Sequence, residues 1–168
     1  MKKILCALLL LLTVTVSFTS CGLTVGRPEI KEGEFNFSLT YEITGETKTI
    51  SGVYVCEYDG IDRVLDGIDH REWKGFIKDG TTEEQIKLAT AEDGGVVELN
   101  LHFAPEYFMG ESHGNDDEPF SPSITVRLED EDGLSFENDA DLIAEVYGAK
   151  IISYEYDQPI ENAFGLFK

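Results

Sequence analysis

From Phe35 to Ile43, apolar and polar residues alternate without a break. Phe35, Phe37, Leu39, Tyr41 and Ile43 share one face; Asn36, Ser38, Thr40 and Glu42 share the other. Successive side chains leave an extended backbone on opposite sides, so a period of two predicts a strand buried on one face. Thr44-Gly45-Glu46 turns this strand into a second over 47–58, and the two predict a hairpin. Asp59-Gly60 has the turn chemistry that favours positive φ, which predicts a further short strand over 61–65. Apolar alternation resumes over 71–78 around Trp73, and Asp79-Gly80 closes it. Strands over 85–90 and 96–103 flank the turn signal Asp93-Gly94-Gly95. In the second of these, Val97, Leu99, Leu101 and Phe103 oppose Glu98, Asn100 and His102. Ile124, Val126 and Leu128 predict another strand, and 151–156 a last one, stopped by Pro159.

One short helix interrupts this pattern near the C-terminus. Asn138 is placed to cap it, with Asp139 and Asp141 at its positive end. Leu142, Ile143, Val146 and Tyr147 form its apolar stripe, and Gly148 ends it. Residues 104–122, with three prolines, read as a long polar connection. Many short strands, regular turns and a lone helix predict a mainly β fold, an antiparallel β-sandwich or open barrel; the alternative is α+β.

The first residues follow neither period. Lys2-Lys3 precede an apolar run from Ile4 to Val16, with no polar face between Ile4 and Leu12, and Phe18-Thr19-Ser20-Cys21-Gly22 follow. The run is short of the roughly twenty apolar residues a permanent membrane span needs. These residues resemble a bacterial lipoprotein signal peptide, with Phe18 where the family usually has Leu. The resemblance implies export, diacylglycerol on the Cys21 thiol, cleavage just before it, and acylation (palmitate, for example) of the new terminus. Two or three acyl chains make a durable anchor where a single one binds marginally. The organisation expected is therefore a signal peptide over 1–20, a lipidated cysteine and tether over 21–33, and one acidic β-rich domain over 34–168.

Charge narrows the partners. The chain carries 33 acids against 13 Lys and Arg, a formal charge of −20. Loss of residues 1–20 removes two lysines and no acid, giving −22. Nucleic acid is excluded as a partner, because phosphates would be repelled. Anionic lipid is repelled too, so the lipid on Cys21 must hold the protein at the membrane. Of three cysteines, Cys6 leaves with the signal and Cys21 is acylated, which leaves Cys56 as the sole thiol. It alternates with Tyr54 and Tyr58 and reads as a small inward-facing core residue.

Sites are harder to find. Eleven of the acids fall between Glu111 and Asp141, with Arg127 the only base among them. Oxygen-rich loops suit calcium, and Asp130 and Asp132 are the candidate ligands, although a solvated acidic face explains the run more simply. An EF-hand is rejected, because placing Gly133 at its sixth position puts Leu128 at the first. His70, His102 and His113 have no metal-binding spacing, and no other cofactor is implied. No Gly-x-Ser-x-Gly elbow or phosphate-binding glycine loop occurs. Trp73, Tyr107 and Phe108 are candidate aromatic platforms for a ligand. The reading expected is a membrane-anchored extracytoplasmic binding domain, not an enzyme, for an envelope protein, polymer or small solute. A small envelope hydrolase using two carboxylates is one alternative. A structural or assembly component acting by strand addition is the other.

Overall fold

The computed structural model describes residues 25–63, 69–78, 84–111, 118–130 and 133–165, with Arg63 and Asp130 described by their backbone alone. The alternating segment becomes β2 (Glu32–Ile43), which lies between β3 (Glu46–Arg63) and β9 (Ala149–Tyr156). Beyond β3 lies β4 (Asp69–Ile77), giving the antiparallel order β4-β3-β2-β9. A second antiparallel sheet runs β5 (Gln85–Thr90), β6 (Val96–Phe103), β7 (Phe120–Asp130) and β8 (Gly133–Glu137) in sequence order. The expected mainly β, sandwich-like fold is the one found.

The inner faces of the two sheets meet in an aromatic core. Phe37 lies edge-on to Phe103 at 5.1 Å between ring centroids, and Phe103 stacks on both Tyr54 (4.1 Å) and Phe120 (4.6 Å). Cys56 lies among them with no exposed surface, as its alternation predicts. Gly75 stands opposite Cys56, and a Cβ there would overlap the Tyr54 hydroxyl, so the missing side chain makes room for that ring.

Five local expectations are corrected. First, Asp59-Gly60 makes no turn: β3 runs straight through to Arg63. The register with β4 slips by one residue between Tyr58 and Gly60, leaving Asp59 as a bulge and Gly60 at φ 133°. Second, the connection over 104–122 is not simply polar. It contains a one-turn helix, α1 (Pro105–Phe108), and Phe108, Met109 and Phe120 are all fully buried. Third, a strand escaped prediction, because β8 follows β7 as a hairpin too short for its periodicity to register. Fourth, Asp139 rather than Asn138 caps the C-terminal helix α2 (Ala140–Tyr147), its carboxylate accepting from the amides of Asp141 and Leu142. Only part of the apolar stripe packs, with Ile143 buried and Leu142 and Val146 exposed. Gly148 ends that helix in the left-handed conformation, as expected.

Fifth, the proposed tether over 21–33 is docked from residue 26 onward, through side-chain and main-chain bonds. β1 (Arg27–Pro28) pairs antiparallel with β10 (Phe164–Gly165). The Asn162 side chain adds a hydrogen bond to each of the Ile30 amide and carbonyl. The two ends of the domain are thereby clasped together.

Candidate functional site

The bulge in β3 and the inward side of β4 create the most elaborate polar cluster outside the sheet ladders. Trp73 lies opposite Tyr58, and Arg71 opposite Ile61, so both point to the same side of β4. They are bridged by one carboxylate. Glu111 accepts from Arg71 Nη2 at 2.7 Å through Oε1, and from Trp73 Nε1 at 2.8 Å through Oε2.

Helix α1 and the turn after it deliver that carboxylate. Gly110 has φ 79°, and a Cβ there would run into the Ile160 carbonyl, so only glycine fits between helix and C-terminal segment. Past this turn the Glu111 amide returns to the Glu106 carbonyl at 2.8 Å. Glu111 is only 8% exposed. The first acid of the acidic run is therefore a buried ion-pair partner and not part of a solvated face.

Arg71 reaches in three directions. Besides Glu111, it donates from Nη1 to the Gly26 carbonyl at 3.0 Å, and its guanidinium lies 4.2 Å over the Phe164 ring. It thus joins β4 to β10 and to the residue just ahead of β1. Its Nε is buried without a hydrogen-bond partner among the described residues, as is Tyr58 Oη. Tyr58 packs edge-on against Trp73 with 5.4 Å between ring centroids.

Two open depressions border this cluster. One, of about 410 Å³, is lined by Asp59, Arg71, Glu72, Trp73 and Glu106. The other, of about 420 Å³, is lined by Arg27, Tyr58, Asp59, Gly60 and Ile61. The bulged Asp59 belongs to both. Its carboxylate also holds Lys74 Nζ at 2.8 Å, and that hydrogen bond leads the causes that raise the lysine pKa. Glu111 already neutralises Arg71 and Lys74 already pairs with Asp59, so the first depression offers a ligand chiefly the Glu72 and Glu106 carboxylates and an indole ring. That combination suits hydroxyl or ammonium donors and repels anions.

No family model, no curated protein and no solved structure matches this chain. The site therefore rests on its geometry alone.

Of the three aromatic candidates, Trp73 lines the depression. Phe108 does not: it is fully buried, with its ring 4.6 Å from that of Phe35, and offers no face to a ligand. Tyr107 is half-buried on α1 and does not line either depression. Cys21 lies outside the described residues, as do Asp132 and the Asp130 side chain. Among the described residues no three His, Cys, Asp or Glu side chains are grouped to hold a metal ion. Asp59, Arg71, Glu106 and Glu111 were missed from sequence. The signal available was Arg71 itself, a lone cation at an inward position of a strand that continues Trp73, Gly75, Ile77.

Proposed function

We propose that the chain is an exported lipoprotein, held to a bacterial membrane by lipid on Cys21, whose domain binds a donor-rich ligand. That ligand is a hydroxyl-bearing envelope polymer or solute, or an ammonium-bearing one. The observation that carries the reading is the depression of about 410 Å³ in which Trp73 meets Asp59, Glu72 and Glu106 beside an already neutralised Arg71. Binding is favoured over hydrolysis because the depression is open, so a bond held there stays in contact with bulk water. The N-terminal resemblance supplies the address and anchor.

Trp73 is the only tryptophan, so its emission reports on the depression directly. A soluble chain starting after Cys21 is titrated with a neutral oligosaccharide, a lysine-rich peptide and an anionic oligosaccharide. The reading expects a saturable emission change with the first or second and none with the third, abolished by Asp59→Asn with Glu106→Gln. Silence with all three, or equal response to the anion, sinks it. Separately, Cys21→Ala in the full chain should leave the protein unlipidated and release it from washed membranes. Unchanged membrane retention would overturn the anchor while leaving the binding reading intact.

A further inference from the structure

Strand β8 closes one side of its sheet. It pairs with β7 through five consecutive residue pairs, from Val126–Glu137 to Asp130–Gly133, with no register shift. From Leu134 to Glu137 its other edge meets no strand among the described residues. The other edges of the two four-stranded sheets differ. β9 carries an extra residue, Ile152, at the register shift opposite Thr40 and Tyr41. β5 carries one at Leu88, between Lys87 and Ala89. β4 presents Lys74 and borders the bulge at Asp59. Bulges and lysines are among the devices by which edges refuse further strands, and β8 has neither.

Its side chains also invite company. Leu134 is 55% exposed and Phe136 59%, on the same outward face two residues apart. The neighbouring β7 residues on that face are Glu129 and Arg127. Arg127 already holds Glu98 at 3.2 Å, so its charge is engaged. Glu129 lies opposite Leu134 on β7, Glu137 is the last residue of β8, and Asp139 and Asp141 follow it within four residues, so the charge beside the strand is negative. Two copies pairing through β8 would bring these acids together on chains that each carry −20, which disfavours self-association.

We infer that β8 is a docking edge for an extended, basic segment of a partner protein. The segment adds as a further antiparallel strand, placing apolar side chains beside Leu134 and Phe136 on the outward face and lysines or arginines beside Glu137 on the other. The backbone ladder supplies adhesion, and the side chains select the partner. This surface is independent of the Trp73 depression.

The probe is a synthetic nine-residue peptide of alternating valine and lysine, with a valine–glutamate peptide as control, added to the soluble chain. Hydrogen exchange is followed residue by residue. The expected result is saturable binding of the basic peptide alone, with slowed exchange over 133–137. Phe136→Lys or Leu134→Lys, both at exposed positions that leave folding intact, should weaken binding by about tenfold or more. Binding without protection over 133–137, or undiminished in both variants, overturns the inference. So does equal binding of the acidic peptide. Protection accompanied by dimerisation without peptide would assign the edge to a second copy instead.

Discussion

Replacing Glu111 with alanine removes the ion pair to Arg71 and the acceptor for the Trp73 indole in one step. Both side chains of the pair are largely shielded, Arg71 at 14% and Glu111 at 9% exposure. Truncating one partner of a buried pair costs about 3–5 kcal/mol, chiefly because the other charge stays behind unpaired. The Gly26 carbonyl and Phe164 ring still stabilise Arg71, so the lower end, about 3 kcal/mol, is expected. At about 2–4 °C per kcal/mol for a domain of this size, Tm should fall by about 6–12 °C. The assay is urea unfolding of the soluble chain, repeated with Arg71→Met and with both substitutions together. The double variant should be markedly less destabilised than the two singles predict, because no charge remains orphaned. High salt should change the wild-type contribution little, since a shielded pair is poorly screened. A Glu111→Ala cost below about 1 kcal/mol would mean the pair behaves as an exposed one, and the buried-staple argument would fail.

Burial, with the Glu106 charge adding, pushes the Cys56 thiol from 9.0 up to about 12. The unfolded thiol therefore loses its proton first. Stability should fall as pH rises from about 9 toward 12, and Cys56→Ala should flatten that slope. The same thiol should resist a maleimide at neutral pH until urea unfolds the domain. Phe108→Ala should cost about 3–5 kcal/mol in urea unfolding, whereas Leu134→Ser at the exposed edge should stay within about 0.5 kcal/mol. Asp139→Ala should cost about 1 kcal/mol through the lost cap, with Asp139→Ser restoring most of it.

The core was legible because a half-buried strand must alternate, and Phe35 to Ile43 does so without exception. The positions of Val97, Leu99 and Leu101 followed from the same rule, and all three are buried. The bulge was not legible, since Asp-Gly serves a hairpin turn and a bulge equally well. Which one forms depends on whether β4 is there to pair with the continuing strand. The site was illegible for a related reason. Glu111 lies forty residues beyond Arg71, and its sequence neighbours are the polar ones that suggested a solvated run. Only the packing of α1, fixed by Phe108, turns that carboxylate inward. Strand β8 is five residues long, with exposed apolar side chains and no inward stripe to betray it.

The terminal clasp also decides how the molecule meets mechanical load. A pull on the chain ahead of residue 25 is borne first by the Arg71 bond to the Gly26 carbonyl and the two residue pairs of β1 and β10, then by the Asn162 bonds to Ile30. Only afterwards does it reach β2, whose twelve pairs with β3 form the longest ladder in the fold. The weak element thus lies in series ahead of the strong one, and the core survives tension that opens the clasp. Opening it draws the Gly26 carbonyl and the Phe164 ring away from Arg71, so force at the N-terminal end is transmitted to the wall of the Trp73 depression.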